Sequence, residues 1–370
     1  MTEPPEPPVL DTNGRVAAAL RDLAAAQSAP EKAWGYKRAA AAVLDLDEPI
    51  EAYREPDGSL RRIRHVGPSS SKVVLEILDM GRSPTVEDAV AASGAAADVN
   101  TRARYREHFL SRAEVVRALR NAKLAGPSLS EYRGDLHMHS TWSDGVDSVE
   151  SMAAACRERG YAYCAISDHS YGLPIARGVS MEDLALQHAE IDALNARLGG
   201  EFRVLKGIEA NLRADGSVDM RPEELVRLDV VIASPHSALR KSEDQTPRMV
   251  WAVSQPGVHV LGHPRGRMYG SRPGVSADWD AVFAAAAASR VAIEIDGDPS
   301  RQDVDYRLAS RAVAAGCLVA LGSDAHAADQ LAFAETAVAH ARLAGVPPGR
   351  IVNTWSLERL LDWCAERRAS

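Results

Sequence analysis

From about residue 133 onward the chain predicts an α/β barrel of parallel strands, with a small all-helical domain before it. Three observations point there. The first third keeps a helical periodicity, the remainder alternates short β-rich runs with helical stretches, and histidines and acids recur at the ends of those runs. At 370 residues the chain is longer than one hydrophobic core usually organises, which agrees with two domains.

Residues 1–13, beginning MTEPPEPPVL, are proline-rich and acidic and read as a flexible leader. They lack the basic start and apolar stretch of a secretory signal. From 14 to 125 the pattern is helical: Val16, Leu20 and Leu23 fall on one face, and Val73, Ile77 and Leu78 make a similar stripe. The run GPSLSEYRG supplies turn residues, so 126–132 reads as a linker to a second domain over 133–370. Seven strand candidates follow: Asp135–Met138, Tyr163–Ser167, Arg203–Ile208, Val230–Ser234, Val258–Gly262, Val291–Ile295 and Leu318–Gly322. Segments such as 148–159, 181–198, 277–289 and 304–315 read as helices between them. Seven such units suggest a barrel. An open doubly wound sheet is the other arrangement, but no glycine-rich nucleotide turn follows the first strand.

Composition narrows the function classes. A hydrophobic content of 46% with 25% charged residues is that of an ordinary globular protein. No apolar run reaches the roughly 18 residues that span a bilayer, so a cytoplasmic protein with no membrane role is expected. Cys156, Cys164, Cys317 and Cys364 form no CxxC pair, which argues against a disulfide framework, a zinc ribbon or a redox motif. The net charge of −8 arises entirely after residue 130, because residues 1–130 hold 18 basic and 18 acidic side chains. Within 61–124 the balance is 12 basic to 7 acidic, with clusters at Arg61, Arg62 and Arg64 and at Arg102, Arg104 and Arg106. That excess reads as a solvated helical surface before it reads as a nucleic-acid face.

The placement of the histidines carries the chemistry. Six of eleven sit at or just past predicted strand ends. His137 and His139 alternate on the first strand and so share a face. His169 closes SDH after the second, His236 closes SPH after the fourth, His263 follows the fifth, and His326 closes SDAH after the seventh. Asp144 in WSDG, Glu209 in KGIEA and Asp324 in SDAH add carboxylates. In a parallel barrel the strand C-terminal ends converge on one face, so these nine groups would meet in one pocket. Imidazole and carboxylate donors suit zinc, iron or manganese, and nine are enough for two or three divalent ions with a bridging carboxylate. A Ser/His/Asp triad would leave most of the histidines without a purpose, and no GxSxG elbow is present. His259, inside the fifth strand, reads as a packing residue.

The stretches GDLHMHSTWSDG, AISDHS, KGIEA, ASPHS, GHPRGR and GSDAH resemble the ordered motifs of the PHP (polymerase and histidinol phosphatase) superfamily over about 133–370. ARGVS, HAEIDALN and DQLAF extend the similarity toward the PHP domains at the C-terminus of bacterial family X DNA polymerases. The resemblance implies a distorted (β/α)7 barrel and a phosphoesterase, acting as a phosphomonoester phosphatase or as a 3′–5′ exonuclease in DNA-end processing and repair. It implies one ion on His137, His139, Glu209 and Asp324, a second on Glu209, His236 and His263, and a third on Asp144, His169 and His326. Glu209, Asp324 and His326 would then hold the ions that activate water. The segment from Val16 to Arg82, with YKRAAAAVLDL and IRHVGPSSSKVVLEILDMGR, resembles the helix-hairpin-helix domain of the same polymerases, which implies DNA as a partner. There the first hairpin glycine is replaced by His65, and too few residues follow to house a polymerase palm.

Among basic residues near strand ends (Arg177, Lys206, Arg240, Lys241, Arg265 and Arg267), Arg177 and Arg267 are the candidates to grip a substrate phosphate. The competing reading is a non-catalytic nucleic-acid-binding or scaffold protein with a vestigial barrel.

Overall fold

The computed structural model describes residues 10–369. The first nine residues of the expected leader lie outside the described residues; the next four do not behave as a leader. Helix α1 (Thr12–Ala25) starts at Thr12, with Asp11 accepting from the Gly14 N–H as its N-cap. Asn13 is fully buried: its amide donates to the Glu48 carbonyl at 3.1 Å and its oxygen accepts from the Ile50 N–H at 2.7 Å.

The chain divides into two compact units. One takes in residues up to Arg120 together with Met268–Arg272. It is built from α1, α2 (Pro30–Leu44), α3 (Pro68–Met80), α4 (Pro84–Ser93), α5 (Ala96–Arg104) and α6 (Arg112–Arg120). Val16, Leu20 and Leu23 of α1 bury against Val43 of α2 and Val73, Val74 and Ile77 of α3. This is the face that the periodicity marks. His65, in the turn before α3, has φ +64, a left-handed conformation that favours glycine.

The other unit runs from Asn121 and so includes the segment expected to end the helical domain and link it onward. Arg342 explains that difference by donating to the carbonyls of Asn121 at 2.7 Å and Pro127 at 3.0 Å. Its elements alternate along the chain: β1 (Gly134–Asp135), α7 (Val149–Glu158), β2 (Tyr163–Ile166), α8 (Met181–Leu198), β3 (Arg203–Asn211), α9 (Pro222–Leu225) and β4 (Val230–Ser234). Then come α10 (Thr246–Ser254), β5 (Val260–Leu261), α11 (Trp279–Ser289), β6 (Ala292–Asp296), α12 (Tyr306–Ala314), β7 (Leu318–Gly322), α13 (Ala334–Leu343) and α14 (Leu357–Ala369). All seven strands are parallel and pair in sequence order. A bridge from Met138 to Ala325 joins the two ends of the sheet, so the barrel nearly closes. The open doubly wound alternative is thereby excluded.

The seam between β1 and β7 is held lower down by side chains, with Tyr132 donating its hydroxyl to the Leu321 carbonyl at 3.0 Å. Buried Asn353 donates to the carbonyls of Gly134 (2.8 Å) and Leu321 (2.9 Å) and accepts from the Leu321 N–H (2.7 Å), supplying bonds that a complete ladder would make. The strand starts Tyr163, Val230, Val260 and Ala292 pack with Trp355, Leu360, Trp363 and Cys364, so the C-terminal segment plugs the N-terminal mouth. The opposite mouth, at the strand C-terminal ends, is the one left for chemistry. No helix among the described residues is long and apolar enough to cross a membrane.

Candidate metal centre

Because the strands run parallel, every loop that follows a strand opens on the same face. His137 and His139 extend from β1, with the His139 N–H donating to the Ala325 carbonyl at 2.8 Å. A bridge pairs His169, beyond β2, with Glu209 inside β3. His236 and His263 follow β4 and β5, while Asp324 and His326 follow β7. Asp144 is brought in by the loop after β1, and Asp168 holds that loop. Its carboxylate accepts from the Ser140 N–H (2.8 Å) and hydroxyl (2.6 Å), the Ser143 hydroxyl (2.5 Å) and the Gln187 amide (2.6 Å). The structure thus brings all nine sequence-predicted groups together.

Their spacing is that of atoms facing a common centre. His137 Nε2 lies 3.4 Å from Glu209 Oε2 and 3.6 Å from Asp324 Oδ1; His139 Nε2 lies 3.6 and 3.1 Å from the same two oxygens. Four ligands at tetrahedral bond lengths of roughly 2.0–2.1 Å would stand about 3.3 Å apart. On the other side of the carboxylate, Glu209 Oε1 is 3.4 Å from His236 Nε2 and 2.8 Å from His263 Nε2. Glu209 therefore presents one oxygen to each of two groups. In a third, Asp144 Oδ1 is 3.4 Å from His326 Nε2 and 3.6 Å from His169 Nε2, with His139 Nδ1 at 4.0 Å. His169 is shared as well, since its Nδ1 lies 2.8 Å from Glu209 Oε2.

The residues fit divalent cations. Buried atoms without a hydrogen-bond partner include His137 Nε2, His139 Nδ1, His169 Nδ1, Glu209 Oε2 and His236 Nε2. Each such atom costs about 1–3 kcal/mol unless something occupies it, and here they are gathered in one pocket. Three sets can hold an ion: His137, His139, Glu209 and Asp324; His139, Asp144, His169 and His326; and His169, Glu209 and His236. Two of the carboxylates and one histidine are held in the ligating form. Burial alone would push Glu209 up, but His169, His137 and His236 hold it well below the usual carboxylate range. Asp324 is likewise held down against its burial by Arg301, His137 and His139. Burial, with His169 and His326 nearby, pushes His139 down to about 3, leaving it a neutral donor.

Sequence reasoning misses three supporting residues. Glu294 on β6 places Oε1 2.8 Å from His137 Nδ1 and accepts from the His263 N–H through Oε2 at 2.6 Å. Since a carboxylate only accepts, His137 carries its proton on Nδ1 and turns the Nε2 lone pair to the centre. An acid in the middle of the otherwise apolar run VAIEI was the available signal. Asn211, ending β3, lies 3.2 Å from His236 Nδ1, and Arg301 lies 3.3 Å from Asp324 Oδ2.

The two phosphate candidates part ways. Arg177 is exposed on the loop after β2. Arg267 is 3% exposed and is committed elsewhere, donating to the carbonyls of Arg301 (3.0 Å) and Gln302 (2.8 Å) and pairing with Asp305 at 3.3 Å. That corrects the expectation for Arg267: it holds the loop that carries Arg301, and Arg301 is the guanidinium beside the cluster. Lys206 is also engaged, at 2.7 Å from Asp192.

The sequence profile of the PHP domain matches residues 135–295. Among curated relatives, the DNA polymerase/3′-5′ exonuclease PolX of Bacillus subtilis is 38% identical over 231 residues, covering 62% of this chain but 40% of the polymerase. The chain thus matches less than half of that protein's length. The probable phosphatase YcdX of Escherichia coli O139:H28 is 31% identical over 249 residues, covering 64% of this chain and 95% of the phosphatase. Among solved structures, histidinol phosphate phosphatase from Lactococcus lactis, complexed with zinc, L-histidinol and phosphate, matches with a TM-score of 0.43 and 19% identity over 58% of this chain and 94% of that one.

Proposed function

The chain belongs to the PHP superfamily, and we propose that it is a metal-dependent phosphoesterase that hydrolyses terminal phosphate esters, as a phosphomonoester phosphatase or a 3′–5′ exonuclease, at the nine-residue cluster. The observation that carries this is the two-sided Glu209, whose Oε2 faces His137 and His139 while Oε1 faces His236 and His263. His137, His139, Glu209 and Asp324 would hold one ion, Glu209, His236 and His263 a second, and Asp144, His169 and His326 a third. Zinc, manganese and iron all suit such donors. When bound there, divalent ions supply Lewis acidity that makes water a nucleophile near neutral pH and offsets charge on the phosphate oxygens.

The remaining work falls to the protein. Glu294 and Asn211 fix the ring faces of His137 and His236, and the Asp324 carbonyl, 2.8 Å from His326 Nδ1, does the same for His326. In this reading Glu209, Asp324 and His326 would hold the ions that activate water. Arg301, 3.3 Å from Asp324, and exposed Arg177 would meet the phosphate oxygens. The PolX similarity supports the exonuclease arm and the YcdX similarity the phosphatase arm. In the exonuclease arm the helical unit would guide DNA.

Purified protein offered a 5′-labelled single-stranded oligonucleotide beside a phosphomonoester panel, with manganese or zinc, tests this directly. We expect metal-dependent laddering or phosphate release, abolished in His137→Ala. Absence of hydrolysis with every metal, together with DNA binding that survives chelation, would sink the proposal in favour of a scaffold.

A further inference from the structure

The loop after β6, residues 297–305, carries a strained residue directly after Arg301. Gln302 has φ +45, a left-handed conformation that a non-glycine residue keeps only where its surroundings over-determine it. Glycine would adopt it at no steric cost. The chain instead places there a glutamine that is 3% exposed, and its side-chain oxygen lies 2.9 Å from His340 Nε2. A glycine could not make that contact.

His340 lies on α13, fully buried, and is not one of the nine ligating groups. Its Nδ1 accepts from the N–H of Tyr306, the first residue of α12, at 3.0 Å. The ring's proton therefore sits on Nε2 and is donated to Gln302. One imidazole thus ties the loop to α12 and α13. On the other side of Gln302 stands Arg301. Its carbonyl accepts from Arg267 Nε at 3.0 Å, its side chain is 22% exposed, and its Nη1 is 3.3 Å from Asp324 Oδ2. Asp324 turns its other oxygen to His137 and His139. Where the Arg301 guanidinium reaches is set by the backbone on either side of its Cα, and Gln302 fixes one of those sides.

We propose that His340 is a positioning residue for Arg301: through Gln302 it sets the backbone from which the Arg301 guanidinium meets a phosphate oxygen of the substrate. Its effect on phosphate passes through Arg301. The inference rests on the phosphoesterase reading of this site and adds what that reading does not require, a dependence of phosphate affinity on a buried histidine outside the ligand set. Guanidinium and phosphate make directional, charge-assisted bonds, so a small displacement of the arginine weakens them.

The test is a double-mutant cycle on manganese-loaded protein: wild type, Arg301→Ala, His340→Ala and Arg301→Ala/His340→Ala, with His340→Gln as the conservative variant. Each is assayed for kcat/KM on p-nitrophenyl phosphate and, by calorimetry, for binding of inorganic phosphate. We expect His340→Ala to lose about tenfold in both readouts and to lose nothing further once Arg301 is alanine. His340→Gln should recover most of the loss, since its amide can donate to Gln302 and accept from Tyr306. Losses that add fully in the double variant would overturn the proposal, because His340 would then act by a route that bypasses Arg301. So would phosphate binding that survives either single alanine variant intact, or that wild type lacks. Should His340→Ala not fold, Gln302→Gly takes its place: it removes the side chain that His340 holds and meets the left-handed φ without strain, and the same loss, absent in the Arg301→Ala background, is expected. Failure of the phosphoesterase reading shows separately, as wild type that hydrolyses nothing, and the calorimetric cycle then decides the role of His340 alone.

Discussion

Glu294 shows how much of the centre depends on residues outside the ligand set. One of its oxygens sets the His137 ring and the other takes the His263 N–H, so a single buried side chain orients two neighbouring ligands. In Glu294→Gln one of these contacts must face an amide NH2 group. We expect metal affinity to drop by roughly 10–100-fold, read by competition with a chromophoric chelator; unaltered affinity would remove Glu294 from the account. His259 is a buried histidine of another kind. Its Nδ1 accepts from the Val231 N–H at 2.9 Å and its Nε2 donates to the Cys364 carbonyl at 3.0 Å, which ties the barrel wall to α14 in the neutral form. Burial, with Arg368 and Arg367 nearby, pushes its pKa down to about 3. The unfolded chain therefore binds a proton that the folded one refuses. Stability from this group is complete above about pH 6.5 and is lost progressively toward pH 3, at roughly 1.4 kcal/mol per pH unit. In His259→Gln, denaturant midpoints measured between pH 4.5 and 7 should lose that part of their slope.

At the scale of elements, the barrel is a chain of strong pairings with one weak seam. β3 and β4 pair over five residues, whereas β1 and β7 meet through one bridge and through side-chain bonds of Asn353, Tyr132 and Ser323. Removing the Asn353 side chain in Asn353→Ala takes a donor from the Gly134 carbonyl and the acceptor from the Leu321 N–H, while the Leu321 carbonyl keeps the Tyr132 hydroxyl, for a loss of about 1–3 kcal/mol for each group left unpaired, measurable as a lowered urea midpoint. The variant should bind metal normally once folded, because the seam lies below the centre. Gly322, at the end of β7, makes the opposite prediction. A Cβ there would overlap Glu294 Oε1 and lie 3.1 Å from His137 Cβ, so Gly322→Ala should impair metal binding as Glu294→Gln does. Strand positions were legible in the sequence because alternating β-rich runs and helices leave a periodic trace, and β4 and β7 fall where expected. β1 and β5 shrink to two residues. Pairing length depends on the neighbouring strand, which periodicity does not report.

For the whole molecule, the metal centre and the fold are thermodynamically linked. A ligand from β3 and others from the segments after β1, β2, β4, β5 and β7 converge only when the barrel is assembled, so cations that bind there stabilise the folded state. Adding manganese or zinc to chelator-treated protein should raise the thermal midpoint, by about 2.7 kcal/mol of stability at a hundred times the dissociation constant. Much of that gain should vanish in His137→Ala. A midpoint indifferent to divalent ions would contradict the reading of these nine residues as ligands.

What the sequence by itself determined was the parallel α/β pattern and the nine chemical groups at the strand ends, because side-chain type and strand position are both local properties. The partition of Glu209 between two sets of histidines, the support from Glu294 and the consumption of Arg267 by the loop it holds were decided only in the tertiary structure. Each depends on distances between strands and loops far apart in the chain, and on burial, which turns an arginine that reads as a phosphate grip into a structural tie.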